Sequence, residues 1–186
     1  MSSYPKSGCT WFRSCFSFVT GIATGSCYSP KEEVGDMQLQ FQGNICEGYA
    51  DEKVFLIKSH FPSRPDPLNV FKAAKTICLI RSPRPVYVSG IHLTGSLSQN
   101  LSIDSVDFNQ DFPDEWEEYL TYMTPQYKRF IESWILKRKE GYPVYFLRYE
   151  DLVENMSQSL TEVFQFVTGQ KDLTGTLLSS RISSCS

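Results

Sequence analysis

The chain has no CxxC pair and no cluster of cysteine with histidine, so its six cysteines (Cys9, Cys15, Cys27, Cys46, Cys78 and Cys185) suggest neither a metal site nor a dithiol redox centre. They read as reduced thiols, with Cys15 and Cys78 set inside apolar stretches. Positive charge is not in excess either. The formal net charge is −3, which argues against a polyanionic partner such as nucleic acid and makes any anion site a local one. No apolar run approaches the ~18–20 residues that span a bilayer, and the start lacks the pattern of a signal peptide. As written, the chain reads as soluble and unexported, which would place it in the cytoplasm. Asn100-Leu-Ser and Asn155-Met-Ser are glycosylation sequons that matter only on the secretory route. The common nucleotide-binding loop GxxxxGK[ST] is also missing, which disfavours a magnesium-dependent phosphate-loop kinase.

What is present begins with "SSYPKSGCTWFR". It looks like a phosphate-binding loop whose lysine, Lys6, comes before the glycine, Gly8, instead of after it. "SSYP" reads as a strand end. The stretch from Thr10 to about Thr20 reads as a helix with Trp11, Phe12, Cys15, Phe16 and Val19 inward, closed by Gly21. Residues 23 to 50 read as loop. "KVFLIKSH", "KTICLIRS" and "PVYFLRY" read as strands buried on both faces, as parallel strands are. A helix is predicted after Pro83 through "RPVYVSGIHL", and residues 95 to 113 read as polar and mobile. "PQYKRFIESWILKRKE" reads as an amphipathic helix with Tyr127, Phe130, Ile131, Trp134 and Ile135 inward. "NMSQSLTEVFQFVTG" reads as the last clear helix.

Strands alternating with helices predict a three-layer α/β/α domain around a central parallel sheet. The chain of 186 residues fits one domain, with its core over 2–168 and a frayed serine-rich tail over 169–186. Ligands of such sheets bind beyond the carboxyl ends of the strands. The lysine loop, Lys58-Ser59-His60, Arg81-Ser-Pro-Arg and Tyr149-Glu150-Asp151 each follow a predicted strand, so four polar clusters converge on one edge. A small-residue loop opening a helix offers free N–H groups and a positive dipole end to an anion. His60 has a residue type suited to a general base near neutral pH. Glu150 and Asp151 read as helix-opening carboxylates, and His92 as structural.

These residues resemble a known family. "YPKSGCTW" is similar to the PKSGTTW loop of the sulfotransferases, and "RSPRPVYVS" to their RxPRxxxxS motif. "KSH" resembles the lysine-x-histidine of the cytosolic enzymes and "LRYEDL" their YEDL segment. The matches fall in family order over residues 2–152. "TGIATGS" further resembles the sulfotransferase-like domains of WSC-domain proteins.

The resemblance implies a phosphate-loop-like sulfotransferase fold. It also implies transfer of a sulfuryl group from 3′-phosphoadenosine 5′-phosphosulfate (PAPS) to a hydroxyl or amine acceptor, with no metal. Lys6 would neutralise charge on the bridging oxygen, and Ser7, Gly8, Cys9 and Thr10 would contact the 5′-phosphate. Trp11 would stack on adenine, Arg81 and Ser89 would hold the 3′-phosphate, and Tyr149 would touch the base. Lys58 would stabilise the sulfuryl oxygens while His60 takes the acceptor proton. The alternative is a catalytically inactive module that keeps phosphate recognition or serves as a scaffold.

The acceptor, whether small molecule, carbohydrate or protein, has no readable motif. Cys9 replaces a family threonine and Pro85 a family acid. "TGTLLSSRISSCS" has no equivalent of the RKG-type segment that closes the family's cofactor pocket, leaving Arg181 as the substitute. The clipped first strand and this ending lead us to expect a chain truncated at both ends, and Golgi membrane anchorage if a segment precedes it.

Overall fold

A computed structural model describes residues 1–28, 44–62, 73–96 and 106–185. Among the described residues five strands lie in parallel. β1 (Ser2–Ser3) pairs with β4 (Thr76–Ile80), which pairs with β5 (Val144–Arg148). β2 (Gly25–Ser26) pairs with β3 (Ile57–Lys58). A parallel bridge between Ser2 and Ser59 joins the two groups, with the Ser3 N–H donating to the Ser59 carbonyl at 3.1 Å. Across the sheet the order is therefore β2-β3-β1-β4-β5.

The alternation of β4 builds two cores. Ile77 and Leu79 face one side, where they meet Phe12, Phe16 and Val19 of α1 (Cys9–Thr20). Leu160, Val163 and Phe164 of α6 (Met156–Thr168) complete that side. Cys78 faces the other side with Tyr4 and Val144. Val86 and Tyr87 of α2 (Pro83–Ser96) pack there against Tyr127, Phe130 and Trp134 of α4 (Pro113–Lys139). The result is the expected three-layer α/β/α arrangement around a parallel sheet. Period-2 burial on both faces is what makes "KTICLIRS" an unbroken apolar run.

Several elements differ from the sequence expectation. β2 lies inside the stretch read as loop, of which 29–43 falls outside the described residues; two residues carry no periodicity, and β2 is defined only by its partner. β3 is shorter than "KVFLIKSH". Of the segment 95–113, residues 97–105 fall outside the described residues, and a short helix, α3 (Phe108–Asp111), occupies part of the rest.

α4 starts twelve residues earlier than expected, at Pro113, and continues through Pro125. Its acidic first turn (Asp114, Glu115) and basic last turn (Lys137, Arg138, Lys139) both suit the helix dipole. Its buried stripe is the narrow line Tyr127, Phe130, Trp134, while Ile135, expected inward, is 40% exposed. α5 (Tyr149–Glu154) follows β5 directly. The tail is not frayed over its length: α7 (Leu177–Cys185) packs against α1 and α6 through Ile182, and Arg181 donates to the Val19 carbonyl at 3.3 Å.

A buried ion pair ties α1 to the segment before β3. Arg13, fully buried, donates to Glu47, to the Thr24 hydroxyl at 2.9 Å and to the Thr24 carbonyl at 3.0 Å. Removing one member strands the other charge in the core, whereas removing both does not. Glu47→Ala should therefore lower stability by about 3–5 kcal/mol in urea unfolding, and the double change Arg13→Met with Glu47→Leu should recover most of that loss.

Candidate functional site

Because all five strands are parallel, their carboxyl ends share one edge, and the loops that leave them meet there. The first loop turns at once: the Ser7 N–H donates to the Tyr4 carbonyl at 3.2 Å. Pro5 takes the second position of that turn. Lys6 takes the third with φ 66°, the backbone sign that type II turns demand there. Lysine rarely adopts that conformation, which costs on the order of 1–3 kcal/mol and is characteristic of functional loops. Gly8 follows at φ 91° as the N-cap of α1, and no side chain caps the helix. The first amides of α1 are thus open to an anion. Ser7 is fully buried, and its hydroxyl has no hydrogen-bond partner among the described residues. An uncapped helix start and an unsatisfied hydroxyl together fit a bound phosphate-like group.

Arg81 reaches into this loop from the end of β4. Its guanidinium donates to the Lys6 carbonyl at 3.2 Å and lies 4.2 Å from the centroid of the Tyr149 ring. Tyr149, at the start of α5, in turn meets Trp11 edge-on at 5.5 Å. The same tyrosine covers the glycine: a Cβ on Gly8 would come within 2.5 Å of two Tyr149 ring carbons. Burial holds the Lys6 amine below the usual lysine range, and the nearby Arg81 charge pushes it the same way. Two cations held together in one loop cluster are suited to an anionic ligand.

Two more strand ends complete the neighbourhood. Lys58 and His60 are buried, with 3% and 5% exposure. The His60 ring stacks on Tyr28 at 5.7 Å, its backbone N–H donates to the Tyr28 hydroxyl at 2.9 Å, and the Lys58 amine lies 5.9 Å from the same ring. His60 Nδ1 is 2.8 Å from the Ser3 carbonyl. A carbonyl only accepts, so Nδ1 carries the proton and Nε2 keeps its lone pair. Burial, with Lys58 as the next cause, drives the imidazole pKa down to about 3, so the ring is neutral through the physiological range.

The structure thus gathers Lys6, Ser7, Gly8, Cys9, Thr10, Trp11, Arg81 and Tyr149 at one loop cluster. It holds Lys58 and His60 in a second group around Tyr28. Ser89 is on α2, half-buried, and makes no hydrogen bond to Arg81 among the described residues. Glu150 does not cap its own helix; its carboxylate accepts the Ser82 N–H at 2.7 Å, at the start of α2. Asp151 pairs with Arg148 at 3.1 Å. Sequence reasoning passed over Tyr28 and Arg13, and took Tyr127 only as an inward residue of its helix. For Arg13 a signal existed, since helical spacing puts it on the same face as Cys9 and Phe16.

The architecture is a parallel α/β sheet in which an arginine at the end of one strand meets the lysine-bearing loop that leaves its neighbour. The sulfotransferase domain model matches residues 1–179, and the chain belongs to the sulfotransferase family. It is 28% identical over 183 residues to sulfotransferase 1B1 of Canis lupus familiaris, covering 90% of this chain and 57% of that protein. Against sulfotransferase 6B1 of Homo sapiens the identity is 25%, with coverage of 90% and 54%. A WSCD family member of Drosophila pseudoobscura pseudoobscura is 25% identical over 168 residues, covering 90% of this chain and 49% of that protein. The chain spans about half the length of the curated relatives it matches. Among the described residues no helix is long and apolar enough to cross a membrane.

The depressed His60 pKa gives a pH signature. Unfolding lets the ring bind a proton near pH 6.5 that the folded protein refuses until about 3. His60 therefore contributes a stability loss as pH falls from about 6.5 toward 3, and none above that window. The imidazole C2 proton of His60 should show no titration by NMR between pH 8 and about 4, whereas an inflection near the ordinary histidine value would contradict the buried, neutral ring.

Proposed function

We propose that this domain transfers a sulfuryl group from PAPS to a hydroxyl or amine acceptor. The observation that carries the reading is the convergence of Arg81 on the Lys6 carbonyl beside an uncapped helix start with an unsatisfied Ser7 hydroxyl. The open amides of α1 and the Ser7 hydroxyl would receive the 5′-phosphate, with Gly8 letting the backbone approach closely. Lys6 would place its ammonium at the oxygen bridging phosphorus and sulfur, where negative charge grows as that bond breaks. Arg81 has the fork geometry to bind the 3′-phosphate, which would draw its guanidinium away from Tyr149. The Trp11 and Tyr149 rings offer flat faces to a purine, and Ser89 lies two turns into the adjoining helix.

The acceptor step needs a base. His60 Nε2, left with its lone pair, would take the acceptor's proton as the acceptor oxygen or nitrogen bonds to sulfur. The bridging S–O bond breaks and 3′-phosphoadenosine 5′-phosphate departs. An anionic donor beside Lys58 and His60 would raise the imidazole pKa from its low value in the free protein, bringing the base closer to its working range. No metal takes part in this scheme; Lys6 and Lys58 supply the positive charge.

The near-complete burial of His60 and Lys58 favours a second reading, a nucleotide-binding module in which His60 caps the Ser3 carbonyl and catalyses nothing. The two readings separate by experiment. Calorimetry without metal should show 3′-phosphoadenosine 5′-phosphate binding that falls at least about tenfold in Lys6→Ala and in Arg81→Ala, as expected for loss of a charged hydrogen-bonding partner. Unchanged affinity in both variants would rule out the site. His60→Ala should bind nucleotide nearly as well as the native protein but lose transfer of radiolabelled sulfate to any acceptor the native protein uses. Binding without transfer in the native protein across hydroxyl and amine acceptors would support the module instead.

A further inference from the structure

α4 holds one residue that touches both halves of the loop cluster from behind. Tyr127 is 9% exposed, and its hydroxyl donates to the Arg81 carbonyl and accepts from the Arg81 N–H at 3.4 Å. Both backbone polar groups of the arginine therefore end on one phenol oxygen. The same ring meets Tyr4 edge-on at 5.0 Å, and Tyr4 supplies the carbonyl that closes the turn presenting Lys6. Glu150 fixes the next residue, Ser82, from the opposite element. The turn that carries Arg81 is thus held at two successive residues by side chains from α4 and α5. Burial keeps the Tyr127 hydroxyl above the usual tyrosine range, so it retains the proton it donates.

We infer that Tyr127 is a positioning residue: it sets the placement of Arg81 relative to the Lys6 loop and so tunes preference for nucleotides that carry a 3′-phosphate. This rests on the donor site proposed above. The hydroxyl bonds to the backbone of Arg81, so removing it should alter how well the guanidinium is aimed and not the 5′ contacts made by the loop. A purely structural tyrosine would instead weaken all nucleotides together or lower stability alone.

The test compares calorimetric affinity for 3′-phosphoadenosine 5′-phosphate with that for adenosine 5′-monophosphate. Tyr127→Phe keeps the ring and removes the oxygen. It should lower affinity for the first nucleotide about three- to tenfold, the range expected from one or two lost hydrogen bonds, and change the second less than about twofold. Tyr87→Phe, which alters the aromatic neighbour of Tyr127 at 6.0 Å, should leave that ratio unchanged.

In an Arg81→Ala background Tyr127→Phe should have no further effect on the ratio, because there is no longer a guanidinium to aim. If Arg81→Ala itself leaves the ratio unchanged, the donor site fails. If Arg81→Ala abolishes the preference but Tyr127→Phe does not move it, or weakens both nucleotides equally, the inference about Tyr127 fails alone.

Should Tyr127→Phe fold poorly, 3,5-difluorotyrosine at position 127 preserves the shape and makes the hydroxyl more acidic. Preference for the 3′-phosphate should then fall with rising pH more than in the unmodified protein, and identical pH profiles would overturn the assignment.

Discussion

The candidate site depends on one short parallel ladder, Ser2–Ser3 against Cys78–Leu79. Strands in that relation end at the same edge, so the turn after Tyr4 and the turn after Ile80 emerge side by side. Nothing in the sequence distance between Lys6 and Arg81 would bring them together. With the ladder in place, an arginine one residue beyond a strand end reaches the backbone of a loop three residues beyond its neighbour. Period-2 burial on β4 then decides which helices brace the edge. Ile77 and Leu79 draw α1 and α6 to one face, while Cys78 leaves the other to α2 and α4.

The electrostatic arrangement follows from that geometry. A chain of net charge −3 has no general attraction for anions, yet it places Lys6 and Arg81 within one loop cluster and buries Lys58 a strand away. The acids near them serve other ends. Glu150 is committed to the Ser82 amide, Asp151 to Arg148, and Glu47 to the buried Arg13. These carboxylates stabilise turns, helix starts and a buried arginine.

Much of this was legible in the residues. "KTICLIRS" and "PVYFLRY" announce central strands because each is apolar on both faces, and the helices at Cys9–Thr20 and Met156–Thr168 show clean apolar stripes ended by Gly21 and Gly169. The loop cluster was legible because each motif sits just past such a strand. What escaped has physical causes. β2 is two residues, and its partner defines it. The first half of α4 carries Trp116, Leu120 and Met123 in step with Tyr127, but Pro125 falls between them and reads in sequence as a helix start. α7 is rich in serine, a weak helix former, and is held by Ile182 in the core and by Arg181 on a carbonyl of α1. The roles of Tyr28 and Tyr127 are tertiary: each is an ordinary aromatic in sequence and acquires its function only through what packs against it.

The contact between Gly8 and Tyr149 makes two distant positions a single unit of change. The space above the glycine is filled by the tyrosine ring, and the ring's place depends on the Arg81 guanidinium beside it. A side chain at position 8 becomes tolerable only after position 149 shrinks, and the glycine's left-handed backbone would still resist it. Drift at the loop is therefore gated by a residue about 140 positions away, and the order of change is set: the tyrosine first, the glycine later.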